Sequence, residues 1–198
     1  MAYSSGFRTH PRIAYDGASP TGAASEAEYL EIGLARAVDL EEARMTLDDA
    51  LPPGLDVLAV VVSPGDSLAD RLEASSWRIS LPGVSPSQAR AAVAAFLATP
   101  EITVERMTKR GLRSFDCRAA VLSLAEVTDL EGSSECAILE VVLRHAVPSV
   151  RPDDVLAGLR ETGGLGAIPA PLYERLAQGP LDPRSGTVGD PLASDRDT

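Results

Sequence analysis

Four side chains of this sequence could act as thiol nucleophiles or as nitrogen and sulfur metal ligands: Cys117, Cys136, His10 and His145. A metal ion needs at least three convergent donors, and no pair of these four stands at ligand spacing with a further cysteine or carboxylate. An iron–sulfur cluster needs several thiolates converging on one unit, which two widely separated cysteines cannot supply. Both cysteines therefore read as small core residues, the usual place of free thiols. His145 falls in phase with Leu139, Val141 and Leu143 on the apolar face of a strand. That position suits a hydrogen-bonded histidine of the core or of a strand end. No metal and no cofactor are expected.

Ser4, Ser5 and His10 lie close together, but a serine nucleophile also needs a base and an orienting acid, and no motif fixes these three. The Ser, Gly and Pro content of the segment suits a turn with local hydrogen bonds. Ordered loops do carry binding groups, so Tyr3, Arg8 and His10 are the candidate contacts there. Gly163-Gly164-Leu165-Gly166 lacks the Lys-Ser/Thr of a phosphate loop and follows no strand. No catalytic residue is assigned.

Charge gives a second candidate surface. The chain carries a formal charge of −11, which opposes the counterion-release binding that drives non-specific contact with nucleic acid; DNA is not an expected partner. Against that background Arg106, Lys109, Arg110, Arg113 and Arg118 put five positive charges within thirteen residues, with Asp116 the one acid among them. A basic strand-turn-strand of this kind can contact a phosphate backbone or an acidic protein surface. It can equally be a solvated hairpin whose charges pair with surrounding acids, at little gain in stability. Arg106, Lys109, Arg110 and Arg113 are its candidate contact residues.

These groups must be positioned by a chain of 198 residues, 44% hydrophobic and 24% charged, which is globular in character. Aromatics are only 4%, so the core must be built from Leu, Val, Ile and Ala. No run approaches the ~18 apolar residues that span a bilayer, and no charged leader precedes an apolar stretch; the expected location is the cytoplasm. Residues 12–15 read as a short strand, and 28–34 alternate Leu30, Ile32 and Leu34 against Tyr29 and Glu31, the period of a half-buried strand. Asp39 opens a helix with Glu42 in the capping-box position, carrying Leu40, Ala43, Leu47 and Leu51. Pro52-Pro53-Gly54 stops it, and the apolar run 55–62 reads as a third strand. Strand, strand, helix, strand is the latter part of a ferredoxin-like unit, without its first strand and helix. Residues 1–64 are thus expected to form an incomplete ferredoxin-like unit that leaves a sheet edge and a face uncovered or borrows cover from elsewhere.

Residues 65–162 read as a second ferredoxin-like α+β unit. Trp77, Ile79 and Leu81 alternate as a strand. Ser85, Pro86 and Gln88 form a strong helix start. Strands follow at 102–107, within 115–127 and at 137–144, and Pro152 begins a last helix with Val155, Leu156 and Leu159. Residues 163–198 are rich in Gly, Pro and Asp and are expected to be a mostly disordered tail, with a short helix within 165–176. The fold class expected is α+β, two ferredoxin-like α/β sandwich units followed by that tail.

Several runs then carry a family likeness. Ala2-Tyr3-Ser4-Ser5-Gly6-Phe7-Arg8-Thr9-His10-Pro11 and Ser25-Glu26-Ala27-Glu28-Tyr29-Leu30-Glu31-Ile32 are the most specific. Ala50-Leu51-Pro52-Pro53-Gly54-Leu55, Thr108-Lys109-Arg110-Gly111, Phe115-Asp116-Cys117-Arg118 and Arg151-Pro152 add to them. Together they resemble the radical-SAM-linked family of uncharacterised bacterial proteins, which are encoded beside or fused to a radical SAM protein. The likeness spans roughly residues 2–160. Thr9 departs from it, standing where the family usually has proline. The family also carries a further strand and helix ahead of this point, so the natural protein is expected to begin upstream of Met1. The resemblance implies a non-catalytic accessory or substrate-presenting partner of a radical SAM protein. The alternative is an RNA-binding module that meets tRNA or rRNA through residues 106–118. A third and weaker reading is a metal-independent ribonuclease with His10 as general base.

Overall fold

A computed structural model describes residues 1–3, 10–65, 67–108, 111–127 and 136–196. The first part of the chain forms β1 (Ile13–Asp16), β2 (Ala24–Ser25), β3 (Tyr29–Ile32), α1 (Leu40–Ala50) and α2 (Leu68–Arg71). The remainder forms β4 (Ala74–Pro82), α3 (Pro86–Ala98), β5 (Thr103–Thr108), β6 (Gly111–Asp116), β7 (Val121–Val127), β8 (Cys136–Arg144), α4 (Pro152–Gly163) and β9 (Leu172–Gly179). Helices and strands are mixed, an α+β protein. They fall into two compact units, one of Met1–Ala18, Tyr29–Arg71 and Pro191–Thr198, the other of Ser19–Glu28 and Leu72–Asp190.

In the first unit β1 and β3 pair antiparallel, with Ile13 opposite Ile32 and Tyr15 opposite Leu30. The period of two puts these four on one face, where Ile13, Tyr15 and Leu30 remain 50, 54 and 50% exposed. The Asp39 carboxylate accepts from the Glu41 and Glu42 amides at 3.0 and 2.9 Å, satisfying donors that a helix start leaves open. No residue of α1 is buried. The strand expected over residues 55–62 is a correction: this run joins no ladder among the described residues, and Leu58 is 82% exposed. A β-rich run becomes a strand only beside a neighbour that takes its backbone groups. Here the side chains of α1 do part of that work. The Val57 amide donates to Asp48 Oδ1 at 2.7 Å, and its carbonyl accepts from Arg44 Nη1 at 3.1 Å.

The second unit holds the hydrophobic core. Its main sheet has the order β2-β9-β4-β8-β7, with β4 antiparallel to both β8 and β9. Ile79, Leu81, Leu139, Val141 and Leu143 of β4 and β8 are fully covered, as are Ala92 and Phe96 of α3 and Val155, Leu156 and Leu159 of α4. At its start α3 carries the expected reciprocal cap: Ser85 Oγ accepts from the Gln88 amide, and Gln88 Oε1 accepts from the Ser85 amide. β5 and β6 form a separate hairpin with Val104 opposite Phe115.

The C-terminal stretch is a further correction. Residues 163–198 are not simply a tail, and the helix expected within 165–176 is instead β9, bonded along β4. Beyond it, Leu181 and Val188 form an isolated bridge. Within the first unit, Asp195 accepts from Arg71 Nη1 at 2.5 Å. The alternation of β9 was hidden because two of its buried positions are Arg175 and Gln178, polar residues that a hydrophobic pattern counts as outside.

Candidate functional site

The N-terminal candidates divide. Tyr3 lies in an isolated bridge with Pro11, supported by the Arg12 amide donating to the Ala2 carbonyl at 2.9 Å. This brings Tyr3 across from the residue that follows His10. Both Tyr3 and His10 are exposed. Arg8 lies outside the described residues, as do Ser4 and Ser5.

The basic hairpin divides too. Arg106 stands opposite Arg113 in the β5–β6 register. Two guanidiniums side by side would repel, but Arg106 is held elsewhere. Its Nη1 donates to Asp154 Oδ2 at 2.5 Å, its Nη2 donates to the Ser149 carbonyl at 2.9 Å, and its guanidinium lies 5.0 Å from the Phe115 ring centre. It is a strut between hairpin and α4. Asp154 is buried at the third position of that helix, where it also accepts from the Arg151 amide. Burial raises its pKa above the ordinary carboxylate value, while Arg151 and Arg106 pull it down. Arg118 donates to the Val121 carbonyl at 3.2 Å and faces the Phe96 ring. Arg113 is exposed. Lys109 and Arg110 lie outside the described residues.

Both cysteines were expected in the core. Cys117 is fully buried, and burial pushes its thiol pKa up to about 12, so it holds its proton and is a poor nucleophile. Cys136 is half-buried. Among the described residues no group of three His, Cys, Asp or Glu could hold a metal ion, and no helix is long and apolar enough to cross a membrane.

What the sequence did not disclose is a buried polar network in the second unit. Arg175 is 3% exposed. It donates to Glu28 Oε1, to Ser25 Oγ at 3.1 Å and to Gln178 Oε1 at 3.2 Å, with its guanidinium 5.5 Å from the Trp77 ring centre. Gln178 in turn donates to the Ala27 carbonyl at 2.9 Å. Nearby, Ser75 Oγ accepts from Trp77 Nε1 at 2.8 Å and lies 3.1 Å from His145 Nε2. His145 Nδ1 sits 2.6 Å from the Leu72 carbonyl. A carbonyl can only accept, so the neutral ring carries its proton on Nδ1, and Nε2 accepts from the Ser75 hydroxyl. Serine beside histidine has the makings of a nucleophile and a base. Ser75, however, is 3% exposed, and its oxygen already serves Trp77. The pair is a strand-end clasp. The residues of the Ser25–Glu28 run thus anchor β9.

Burial lowers the His145 pKa, with the Arg175 charge adding to the effect and the hydrogen bond to Leu72 opposing it. A group held neutral in the fold binds fewer protons than in the unfolded chain. Stability from this site is therefore full above the ordinary histidine value and falls as the pH drops below it, down to the lowered folded value. Urea midpoints measured at about pH 7.5 and about pH 5.5 should show this loss, and His145→Asn should shrink it. An unchanged slope in the variant would assign the pH dependence to other groups.

A shallow groove lies where the end of α4 meets the start of α3, lined by Val84, Gln88, Gly164, Leu165 and Ile168. It carries no charged lining residue, and the Gln88 side chain is committed to the helix cap.

A profile of an uncharacterised protein family conserved in bacteria (DUF2344) matches residues 1–152. No curated protein and no solved structure matches. The match ends at Pro152, the first residue of α4, ahead of β9.

Proposed function

We propose, since this chain belongs to that bacterial family of uncharacterised proteins, that it acts in the cytoplasm as a non-catalytic accessory or substrate-presenting partner of a radical SAM enzyme. The identity of the partner rests on the resemblance carried by the runs Ala2–Pro11 and Ser25–Ile32. The observation that favours a protein-binding role is the apolar surface of the first unit, where Ile13, Tyr15 and Leu30 are half-exposed on one sheet face and no residue of α1 is fully buried. Contiguous exposed apolar surface of this kind marks an interaction site. The strand order β9-β4-β8-β7, reached by strand-helix-strand-strand-helix-strand with the β5–β6 hairpin inserted, supports reading the second unit as ferredoxin-like. That reading concerns fold alone.

Co-expression with the radical SAM protein encoded beside the gene is expected to give a complex that survives size exclusion. Tyr15→Asp with Leu30→Asp should weaken it by at least about tenfold, because charges at the centre of an apolar contact are poorly tolerated, while the fluorescence of Trp77 in the other unit stays unchanged. Two proteins that never associate at any salt concentration would overturn the reading. The RNA reading is favoured by the exposure of Arg113 and opposed by the commitment of Arg106 to Asp154. A salt-dependent shift with tRNA or rRNA, lost in Arg110→Glu with Arg113→Glu, would put it first.

A further inference from the structure

Two surfaces of the second unit complement each other. The first is the free end of the β5–β6 hairpin. Its base is fixed: Val104 and Phe115 are buried, and Asp116 Oδ1 accepts from the Ile102 and Arg118 amides at 3.0 and 2.9 Å. Further out, Arg106 is tied to Asp154 and Ser149. Met107 and Leu112 stand directly opposite each other in the register, and they are 72 and 58% exposed. The period of two turns them away from the face of Val104 and Phe115, and opposite side chains of a ladder touch. They make one apolar knob. Arg113 is exposed next to it, and residues 106–115 carry four cations and no acid.

The second surface is the groove past the end of α4. It has a volume of about 370 Å³, with Val84, Leu165 and Ile168 as apolar walls and no charged residue in the lining. A Cβ on Gly164 or Gly166 would meet nothing within 4 Å, so the rim is open. A helix leaves its last carbonyls without partners of its own, and they form the negative end of its dipole. Among the described residues no hydrogen bond reaches the carbonyls of Glu161, Thr162 and Gly163. Arg160, the basic side chain of the last turn, lies near Tyr173 and is not part of the lining. An apolar hollow at such a terminus suits an apolar group that brings a positive charge with it.

The two surfaces lie at opposite ends of one helix. Arg106 holds the hairpin to Asp154 in the first turn of α4, and the groove follows the last turn. The helix has 12 residues, so these ends are about 18 Å apart. A two-fold axis across the middle of α4 exchanges them, which sets each hairpin against the other copy's groove and closes the contact on itself. We propose that this chain pairs with a second copy of itself in that way. Met107 and Leu112 of each copy enter the groove of the other, and Arg113 sits near its open carbonyls. Methionine and arginine are enriched in contacts of this kind. The pairing goes beyond the accessory reading and does not rest on it.

Sedimentation of the full chain from about 1 to about 500 μM tests the pairing, a range that covers micromolar affinity. The mass is expected to rise from one chain toward two and to stop there. Met107→Asp with Leu112→Asp alters the knob, and Ala91→Arg fills the groove from an exposed position of α3. Each should move the midpoint up by at least about tenfold, with the fluorescence of Trp77 unchanged. Arg113→Glu, a surface change, should weaken the pair too, and more at low salt than at high. An equal mixture of the knob and groove variants should associate more tightly than either alone, because the mixed pair keeps one intact knob facing one intact groove. A chain that stays single throughout overturns the proposal, as does growth beyond two copies. So does association that the knob or the groove variant leaves unchanged, or a mixture no tighter than its parts. None of these results bears on association with a radical SAM protein, and a failure of that association leaves the pairing standing.

Discussion

Replacing Gly163 by valine is expected to cost the second unit about 3 kcal/mol or more, within reach of the whole stability of a domain this size. In a helix a glycine is normally a loss of about 1 kcal/mol against alanine, so on propensity alone a side chain here should help. Sterics decide otherwise. A Cβ on Gly163 would lie 2.5 Å from both Cα and Cβ of Ala92 and 3.2 Å from its carbonyl oxygen. These are main-chain atoms and a methyl, with no flexible end to swing aside. Nor can α3 easily withdraw, because its cap is closed by Ser85 and Gln88 and its inner face by Phe96. Even Gly163→Ala should therefore destabilise, the reverse of the propensity order. Gly158→Ala is a relative of it: its Cβ would meet the Phe96 ring at 2.8 Å and Cys117 Sγ at 3.1 Å, side-chain atoms where Gly163 meets main chain. Gly164→Ala separates the causes. That residue is the left-handed cap at φ 65° with open space around it, so it should lose only about 1 kcal/mol. Urea unfolding followed by the fluorescence of the sole tryptophan gives the cost of all four variants. A Gly163→Ala protein as stable as the parent would show that the helices can part, and would remove the close contact as a determinant of the fold.

The glycines illustrate what a sequence withholds. Gly163-Gly164-Leu165-Gly166 reads as loop composition, yet its first glycine is where two helices touch, and that partner lies in another element. Signals that act within a few residues were legible: the Ser85 cap, the Asp39 cap, the alternation of Trp77, Ile79 and Leu81, and His145 at the end of its strand. Signals completed at a distance were not. Arg106 reads as one of a run of exposed cations because Asp154, which binds it, is 48 residues away. β9 escaped because its buried Arg175 finds Ser25 across 150 residues. Residues 55–62 have the composition of a strand, and among the described residues no neighbour forms a ladder with them. Unit boundaries suffered for the same reason: residues 19–28 belong with the second unit, carried there by contacts with β9 that no local pattern announces.

The arginine network should show the opposite asymmetry to the one its charges suggest. Arg175 and Glu28 look like equal partners, but the arginine side chain is 3% exposed and the glutamate 26%. Glu28→Ala removes the carboxylate and leaves a guanidinium in a nearly closed site, beside the neutral oxygens of Ser25 and Gln178 and the face of Trp77. Breaking a buried pair in this way costs about 3–5 kcal/mol. Arg175→Met removes the buried charge itself and fills much of the space. The glutamate left behind can turn toward water, so the loss should be smaller, and the double variant should be more stable than Glu28→Ala alone. Removing the arginine also removes a positive neighbour of His145, so the imidazole should titrate at higher pH in Arg175→Met than in the parent. Proton resonances of the His145 ring follow this directly. Equal costs for the two single variants, together with an unmoved His145, would mean that water reaches Arg175 and that the network does not seal β9 into the sheet. The expected result makes the Ser25–Glu28 run a lock on a strand near the far end of the chain, which gives that run a structural reason to be what it is before any partner is considered.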